Sequence, residues 1–338
     1  MEILITGASG LLGHHLISAL QERGDHVRAL VLPREDASKL EARGVTIFRG
    51  DVCQPESLEQ PCIGVDIVYH LAGMMGVWLP LEAYRAVNVD GAENMCRAAL
   101  RAQVRRLVHI SSWTVYGMAL GWPARENFPL DPFPEPYALT KAEGDRMVQR
   151  LIAREHLPAT IVRPGTFFGP GDRLHFGRMA DRLRDGKGIV VGNGQNALPF
   201  VYVTDVVRGL LAAGSQDVAI GQAYNITNDQ PLTQEEILCA IAEEIGVPAP
   251  RLHVPYSMLY AAAYAAEKVA AVTHARTQPI VTRLGVKLFG TDNRHSIEKA
   301  RVQLGYAPRV SLHEGIRLAA EWYRNGAPAL TATVPTVV

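Results

Sequence analysis

A glycine-rich turn near the start of the chain, Thr6-Gly-Ala-Ser-Gly-Leu-Leu-Gly13, constrains the fold more than any other segment. It joins a predicted strand to a predicted helix, Leu11 to Arg23. Glycines at positions 7, 10 and 13 let the backbone turn tightly, approach an anionic group and pack the helix on a sheet. The helix N-terminus favours phosphate groups. The sequence therefore predicts a dinucleotide-binding βα unit.

Short β-branched runs alternate with longer helix-period segments as far as about residue 165. This alternation predicts an α/β fold, a doubly wound parallel (Rossmann) sheet with helices on both faces. The predicted strands are Ile3 to Thr6, Val27 to Leu32, Val45 to Phe48, Ile67 to Leu71, Leu107 to Ser111 and Ala159 to Val162, and the long predicted helices are Leu11 to Arg23, Glu82 to Ala102 and Tyr137 to Glu155.

Glycine and proline interrupt the chain frequently after residue 165, which predicts a second, smaller, interleaved α+β substrate domain. We expect residues 1–165 to form the dinucleotide-binding domain, with a return segment near 197–215, and residues 166–196 and 216–326 to form the substrate domain. In the return segment, Phe200-Val-Tyr-Val203 predicts a strand and Thr204 a helix N-cap. Residues 327–338 are expected to be a flexible tail. A cleft between interleaved domains is the default ligand site.

Composition and charge argue against several classes of protein. The 34 basic residues balance 34 acidic ones without a dense basic run, so we expect no nucleic-acid partner. The four cysteines are scattered without a C-x-x-C pair, so we expect no metal site and no disulfide framework, as in a reduced cytoplasm. No export signal and no integral membrane segment is expected.

The end of the second predicted strand bears on the choice of cofactor. A carboxylate there would bind the ribose 2′-hydroxyl of NAD, and a cation would bind the 2′-phosphate of NADP. The strand ends at Leu32 without a carboxylate and is followed by Pro33 and Arg34, which favours NADP over NAD. The alternative for Arg34 is a solvated loop charge. Asp51 is placed to meet the adenine, and Leu71-Ala-Gly73 presents small residues to the cofactor.

Tyr137 and Lys141 lie one helical turn apart in Glu135-Pro-Tyr-Ala-Leu-Thr-Lys141. A free phenol with a pKa of ~10 exchanges protons poorly at neutral pH, and a nearby cation favours its ionised form. Hydride addition to a carbonyl builds negative charge on oxygen, so it needs a positioned donor and a tuned acid. Either residue alone would be an ordinary helix side chain. Together, downstream of a dinucleotide turn, they predict proton transfer coupled to hydride transfer.

Seven motifs along nearly the whole chain resemble those of the extended short-chain dehydrogenase/reductase superfamily, the NAD-dependent epimerase/dehydratase family. The pattern after residue 160 is most similar to the 3β-hydroxysteroid dehydrogenase-like branch, which includes sterol dehydrogenases and reductases of long-chain 2-alkyl-3-keto acids. The motifs are Thr6-Gly-Ala-Ser-Gly-Leu-Leu-Gly13, Gly50-Asp51, His70-Leu-Ala-Gly73, Asn88-Val-Asp-Gly91, Ser111-Ser-Trp-Thr-Val-Tyr-Gly117, Tyr137-x-x-x-Lys141 and Arg163-Pro164.

The resemblance implies roles for the matching residues. Tyr137 is the general acid/base, and Lys141 holds the nicotinamide ribose and lowers the pKa of the phenol. Ser112 donates a hydrogen bond to the substrate oxygen, whereas strand alternation sends Ser111 to the other face. Asn88 tethers the sheet near the nicotinamide. The residues expected around the cofactor are Gly7, Ser9, Gly10, Leu11, Leu12, Gly13, Arg34, Asp51, Val52, Leu71, Ala72, Gly73, Asn88, Tyr137, Lys141, Pro164 and Thr166.

The substrate half departs from the pattern of sugar-nucleotide members. These commonly carry an Asn soon after the Arg-Pro pair and a basic residue before a later strand, both serving a diphosphate. This chain has Thr166 and Phe167 at the first place and Leu198 and Pro199 at the second. We therefore expect a hydrophobic secondary alcohol or ketone, steroid-like or long-chain. The residues expected to bind it are Met74, Met75, Trp78, Ser112, Trp113, Thr114 and Phe167.

The superfamily catalyses several reactions on one scaffold, so the fold alone does not decide the reaction. The alternative is an NDP-sugar epimerase or dehydratase with tightly bound NAD. One of four cations could still reach the diphosphate of its sugar-nucleotide substrate. A non-catalytic nucleotide sensor is a third class, disfavoured because the Tyr and Lys are both present. Similar proteins form homodimers through two helices, here Glu82 to Ala102 and Tyr137 to Glu155. The four cations are Arg173, Arg178, Lys187 and Arg283.

Overall fold

The computed structural model describes residues 1–273, 275 and 277–326, so the expected tail 327–338 lies outside the described residues. The strands are β1 (Glu2–Thr6), β2 (His26–Val31), β3 (Thr46–Arg49), β4 (Ile67–His70), β5 (Arg106–Ile110), β6 (Ala159–Pro164), β7 (Thr166–Phe168), β8 (Val190–Val191), β9 (Phe200–Tyr202), β10 (Ala223–Ile226) and β11 (His253–Val254).

Thirteen α-helices of the described residues surround these strands, together with three 3₁₀ turns and two π-helical turns. The helices are α1 (Leu11–Glu22), α2 (Ser38–Glu41), α3 (Glu59–Cys62), α4 (Leu81–Arg85), α5 (Ala92–Arg101), α6 (Pro136–Glu155), α7 (Arg178–Arg184), α8 (Val203–Ser215), α9 (Gln234–Ile245), α10 (Tyr256–Val272), α11 (Arg283–Gly290), α12 (Glu298–Leu304) and α13 (Leu312–Arg324). None of these described helices has the length and apolar content that crossing a bilayer requires.

A seven-stranded sheet in the order β10-β6-β5-β4-β1-β2-β3 forms the centre of the molecule. All of its neighbouring strands are parallel. The strand order reverses between β1 and β4, and ligands of such sheets bind in the crevice at the carboxyl ends of the strands there. The structure confirms the doubly wound α/β fold. Two small two-stranded sheets, β7 with β9 and β8 with β11, lie outside it.

Alternation along the strands distributes apolar side chains to both faces of the sheet. In β1, Ile3 and Ile5 pack into a core shared with α1 and α8, whereas Leu4 packs into the opposite core, shared with α5 and α6. Because every second residue of a strand points to the same face, a strand covered on both sides is apolar throughout. The helices are therefore held on both faces by burial of apolar area.

The seventh strand, β10, was not among the six strands predicted from the sequence. It pairs with β6, with Ala223 opposite Ile161, and forms one edge of the main sheet. It therefore extends the dinucleotide-binding sheet with residues that were expected in the 216–326 part of the substrate domain. A short buried run of this kind is not distinguished from a loop by periodicity, and only its pairing partner identifies it.

The predicted return segment is split between two parts of the structure. Helix α8 packs against α1, β5 and β6, but β9 pairs with β7 and does not join the main sheet. The helix begins at Val203 with Tyr202 as its N-cap residue, so the prediction that Thr204 caps it is wrong. Asp205 in its first turn instead accepts hydrogen bonds from the backbone N–H groups of Arg309 and Val310 at 2.8 and 3.2 Å.

The predicted helix Glu82 to Ala102 is interrupted by a π-helical turn, Ala86–Gly91, between α4 and α5. Such turns insert an extra residue into a helix and are frequent at functional sites. This one buries Asn88 beside α6. A β-carbon at Gly144 of α6 would overlap the backbone carbonyl oxygen of Asn88. The glycine therefore allows α6 to approach the π-helical turn closely.

We expect Gly144→Ala to destabilise the protein by roughly 1–3 kcal/mol, because the added methyl group pushes α6 away from the π-helical turn. At an unhindered helix position the same change would stabilise by about 1 kcal/mol. The free energy of unfolding in urea measures the difference. Arg150→Ala, at an exposed position of the same helix, is the control and should change it by less than about 0.5 kcal/mol. A Gly144→Ala protein as stable as the parent would contradict the close approach.

Candidate active site

The glycine turn lies at the carboxyl end of β1, beside the loop that follows β4. Gly7 has φ +68°, and a β-carbon there would stand 2.8 Å from the backbone N of Ala72. A β-carbon at Gly13 would stand 2.5 Å from the carbonyl oxygen of Ala8. Gly10 is the N-cap of α1, and no side chain caps that end. This geometry fits a cradle for a pyrophosphate, since side chains would fill the space and a cap would occupy the N–H groups.

His70 ties the ends of β1 and β4 together. Its Nδ1 lies 2.8 Å from Thr6 Oγ1, which also accepts a hydrogen bond from the backbone N of Ala72 at 3.1 Å. Burial, with a smaller contribution from the charge of Lys141, lowers the pKa of His70 to about 3. The imidazole is therefore neutral at physiological pH, and its contact with Thr6 gives it a structural role.

Asn88 connects the loop after β4 to the helix that carries Tyr137 and Lys141. Its Oδ1 accepts from the backbone N of Met74 at 2.7 Å, and its Nδ2 donates to the carbonyl of Met74 at 3.1 Å and to Thr140 Oγ1 at 3.0 Å. The amide is thus engaged by protein groups. These contacts tie the loop after β4 to α6.

Helix α6 presents Tyr137 and Lys141 at its first turn. The carboxylate of Glu135 caps the helix by accepting from the backbone N–H groups of Tyr137 and Ala138 at 3.0 and 3.2 Å. Burial raises the pKa of Tyr137 to about 12; a hydrogen bond with the Ser112 hydroxyl opposes this shift and the Glu135 charge adds to it. The phenol is therefore protonated at neutral pH.

Lys141 is buried beside the end of β5. Its Nζ donates to the carbonyl oxygen of Ile110 at 2.7 Å, and a β-carbon at Gly73 would lie 3.6 Å from it. Burial lowers the pKa of Lys141 to about 8, against the opposing charge of Asp145. The resemblance implies that Lys141 lowers the pKa of Tyr137. In this structure a hydrogen bond with Ser112 lowers the pKa of Tyr137, and the ammonium of Lys141 is directed at a backbone carbonyl.

The two serines after β5 have different partners. Ser112 Oγ lies 2.9 Å from Thr114 Oγ1, accepts from the backbone N of Thr114 at 3.2 Å and contacts Tyr137. Ser111 Oγ instead donates to Asp145 Oδ2 at 2.6 Å. The chain thus brings Ser112, Tyr137 and Lys141 together at the carboxyl end of β5, with Ser111 on the other side.

A buried ion pair beneath this site was not anticipated from the sequence. Arg163 of β6 donates from Nε and a terminal nitrogen to the two carboxylate oxygens of Asp145, both at 2.8 Å, and its other terminal nitrogen donates to Tyr116 Oη at 2.7 Å. The ion pair is almost fully buried. Its signal in the sequence is a charged residue inside an apolar strand, which requires a buried partner of opposite charge.

The loop after β2, where the cofactor's ribose phosphate is expected, is held by Arg49. Its guanidinium donates to the carbonyl oxygens of Leu32, Pro33 and Glu35 at 3.4, 3.2 and 2.9 Å. Arg34 is exposed on the same loop. The loop therefore presents Arg34 at the carboxyl edge of the sheet.

Two residues expected at the cofactor belong to the hydrophobic cores. The side chains of Leu12 and Val52 are buried there, so they leave only backbone atoms for a cofactor contact. Asp51 accepts a hydrogen bond from the backbone N of Cys53 at 2.9 Å, which fixes its carboxylate after β3. The sequence could not separate core from site here, because both kinds of residue follow a strand.

Of the residues expected at the substrate, some lie beside Ser112 or the loop after β4, and others pack against the hydrophobic cores. Trp113 begins a 3₁₀ turn, Trp113–Tyr116, and its Nε1 donates to Thr166 Oγ1 at 3.2 Å. Met74 is buried and held by Asn88, while Met75 is exposed. Phe167, in contrast, packs against the core under α1 and α8, and Leu198 is buried in the core of the second half of the chain.

A histidine that the sequence did not single out lies against the Trp113 side of this site. The ring of His295 stands 5.3 Å from that of Trp113 and 5.9 Å from that of Tyr116, measured between centroids. It comes from a segment about 180 residues later in the chain, so sequence spacing gave no signal for the contact.

A cavity of about 710 Å³ opens on the other side of Arg163, away from the serine and tyrosine. It is bounded by α6, β6, the start of β10 and the segment before α12, and Gln149, Gln222 and Lys299 are among its lining residues. The three residues predicted for catalysis do not line it. This cavity is therefore separate from the site of the three predicted catalytic residues.

Comparisons with known proteins agree with this geometry. The model of the NAD dependent epimerase/dehydratase family matches residues 3–227. The chain is 32% identical over 328 residues to a 2-alkyl-3-oxoalkanoate reductase of Stenotrophomonas maltophilia, covering 94% of this chain and 98% of that one. It is 30% identical to a 3beta-hydroxysteroid-dehydrogenase/decarboxylase of Arabidopsis thaliana, covering 93% and 77%.

Among solved structures, the crystal structure of gox2253 superimposes with a TM-score of 0.82 at 30% identity, covering 96% of this chain and 98% of that one. Both the sequence and the fold thus match over almost the whole chain, and the family predicted from the motifs is confirmed. The chain therefore belongs to the NAD dependent epimerase/dehydratase family and is an enzyme of the extended short-chain dehydrogenase/reductase type.

Proposed function

We propose that the protein is an NAD(P)-dependent oxidoreductase that interconverts a secondary alcohol and a ketone on a hydrophobic, steroid-like or long-chain substrate. The observation that carries the proposal is the protonated phenol of the half-buried Tyr137 in hydrogen-bond contact with Ser112. A hydroxyl and a phenol placed together can both address one substrate oxygen, which is what carbonyl reduction requires.

The residues of the chain fit a dinucleotide. The turn of Gly7, Gly10 and Gly13 would hold the pyrophosphate, and Lys141, next to Gly73, would hold the nicotinamide ribose. When bound, a nicotinamide cofactor supplies or accepts the hydride. The description of the family supports NAD as the general cofactor class.

In the proposed reduction, Ser112 donates a hydrogen bond to the substrate carbonyl and Tyr137 transfers its proton to the same oxygen. A pKa of about 12 keeps the phenol in the proton-donating form at neutral pH. Lys141, with a pKa of about 8, brings a positive charge close to the negative charge that develops on the oxygen. In the reverse direction Tyr137 accepts the proton.

The choice of a hydrophobic substrate is supported by the residues around Ser112. Trp113 and Met74 are apolar and buried, and Leu198 stands in a core where sugar-nucleotide members commonly present a basic residue. The two named relatives act, by their names, on oxoalkanoates and hydroxysteroids. The second candidate is an NDP-sugar epimerase or dehydratase with tightly bound NAD, which the breadth of the family favours.

We also propose that the cofactor is NADP, because Arg34 is exposed on the loop after β2. We propose a cytoplasmic location because the four cysteines are free, as is usual in a reducing compartment. A homodimer through α4, α5 and α6 is proposed by analogy with similar proteins.

The expected activity is steady turnover of NAD(P)H with hydrophobic ketones, followed by absorbance near 340 nm. We expect Tyr137→Phe to lower kcat by about 10²- to 10⁴-fold, because it removes the transferred proton and keeps the ring. Cofactor binding, measured by fluorescence titration, should stay unchanged. Turnover confined to sugar nucleotides, with NAD retained through purification, would favour the epimerase instead. Activity of Tyr137→Phe equal to the parent would remove Tyr137 from the mechanism.

The pH dependence should differ between the two directions. Because the pKa of Tyr137 is raised to about 12, the phenol needed for reduction is fully populated at neutral pH, while the phenolate needed for oxidation is scarce. Between about pH 6 and 7, where Lys141 with its pKa of about 8 keeps its charge, kcat/KM for oxidation should rise about tenfold per pH unit and kcat/KM for reduction should stay flat. A bell-shaped profile for reduction in this range would contradict a raised pKa.

Arg34→Ala should raise the KM for NADPH about tenfold and leave the KM for NADH within about twofold, because a charge-assisted contact to the 2′-phosphate is lost. Initial rates with both cofactors measure this. Arg105→Ala is the control. This exposed arginine directly precedes β5 and so lies at the amino ends of the strands, and its loss should change neither KM. If Arg34→Ala changed the KM for NADPH and the KM for NADH equally, Arg34 would be a solvated loop charge and not a ligand of the 2′-phosphate.

A further inference from the structure

The cavity on the far side of Arg163 has the size and the walls of a ligand site. Its volume of about 710 Å³ lies within the range of roughly 300–1,000 Å³ that small-molecule sites occupy. Ile152 and Ala153 of α6, Ile161 of β6 and Ala223 of β10 are among its lining residues. These side chains offer apolar surface to the body of a small molecule. Since the predicted catalytic residues do not line the cavity, a molecule bound here leaves the reaction centre free.

Lys299 brings an ammonium group to this cavity without a carboxylate to pair with. It is half-buried, its Nζ donates to Gln222 Oε1 at 2.9 Å, and it stands 5.0 Å from the centre of the Tyr224 ring. Among the described residues its partners are thus an uncharged amide and a ring. Burial lowers the pKa of Lys299, while the charge of Glu126 opposes this shift and that of Arg163 adds to it. A bound anion would favour the ammonium form.

The other charges around the cavity leave it with an excess of one positive charge. Arg125 is exposed, and its side chain has no hydrogen bond or ion pair within the described part of the chain. Of the two lining carboxylates, Glu298 pairs with Arg301 at 3.1 Å, and Glu126 accepts from a backbone N–H group of β10 at 2.9 Å. The buried ion pair under the site is neutral. Arg125 and Lys299 therefore face one uncompensated carboxylate, that of Glu126.

The cavity adjoins the residues that hold the catalytic helix in place. Gln149 Nε2 donates to Asp145 Oδ1 at 2.6 Å, and Arg163 donates to the same oxygen at 2.8 Å. Gln149 and Arg163 both line the cavity, and Asp145 lies one helical turn after Lys141. A molecule in the cavity would therefore contact two side chains that fix α6. Because packed interiors transmit small displacements, such a contact can reach the amino end of the helix.

We propose that this cavity is a regulatory site for a small organic monoanion with an apolar body, such as an aromatic carboxylate. The carboxylate would bind Lys299, with Arg125 adding to the attraction, and the apolar body would pack on Ile152 and Ala223. A monoanion matches the single excess charge, whereas an uncharged molecule leaves Lys299 without an ionic partner. Binding should change kcat without competing with the substrate, because the two sites share α6. The site does not depend on which reaction the enzyme catalyses.

The test compares 2-naphthoate with the uncharged 2-naphthalenemethanol, which has the same apolar body. Calorimetry on the full chain, with NADH or NADPH present to fill the cofactor site, measures both affinities. The unmodified protein should bind 2-naphthoate about tenfold more tightly than the alcohol, because only the acid forms a charge-assisted hydrogen bond. Lys299→Gln should weaken binding of 2-naphthoate about tenfold and leave that of the alcohol unchanged. Lys299→Arg, which keeps the charge, should retain the preference for the acid.

Two further variants complete the binding test. Arg125→Gln changes a side chain without partners, should weaken binding of 2-naphthoate about two- to fivefold, and carries the measurement if Lys299→Gln does not fold. Lys268→Gln, at an exposed position of α10, is the matched control and should bind as the parent. Equal affinities of the unmodified protein for the acid and the alcohol would overturn the site, as would tight binding of 2-naphthoate that survives in Lys299→Gln.

Initial rates with a saturating hydrophobic ketone test the regulatory role. Saturating 2-naphthoate should change kcat at least about twofold in the parent and in Lys268→Gln, but not in Lys299→Gln. An effect that excess ketone removes and that persists in Lys299→Gln would place the probe in the substrate site and overturn the proposal. Binding through Lys299 without any change in kcat would overturn the regulatory role. If no ketone is turned over, the proposed function fails, while calorimetry still decides whether the site exists.

Discussion

The ion pair between Asp145 and Arg163 is the interaction on which the site depends most. It joins the middle of α6 to β6, and its two residues also bind Ser111 and Tyr116, on either side of Ser112. A single buried pair thus fixes the helix that carries Tyr137 and Lys141 relative to the strand end that carries the serine. Removal of one partner would leave an unpaired buried charge, which is far more costly than loss of an exposed pair.

Burial also sets the electrostatics of the site. The same removal from water raises the pKa of Tyr137 to about 12 and lowers that of Lys141 to about 8, because it disfavours the charged form of each group. The helix cap at Glu135 and the hydroxyl of Ser112 then adjust the phenol in opposite directions. Burial is therefore the largest cause of both pKa shifts, and it acts in opposite directions on the phenol and the ammonium.

Local patterns predicted much of the fold and much of the site. The glycine turn lies within one βα unit and Tyr137 with Lys141 within one helical turn, so spacing along the chain was sufficient to find them. The strand β10, the π-helical turn around Asn88 and the partner of Arg163 depend on residues distant in sequence. The side chains of Leu12 and Val52, which were expected at the cofactor, are buried in the cores, and Phe167, which was expected at the substrate, packs against one of them.

The sequence by itself determined the doubly wound sheet, the dinucleotide turn and the serine, tyrosine and lysine of the site, because each follows from the periodicity or chemistry of a short segment. The tertiary structure alone decided which of two serines contacts Tyr137, which groups shift its pKa, and that the imidazole of His295 lies against Trp113. These depend on contacts between distant segments and on exclusion of water, which exist only once the chain has packed.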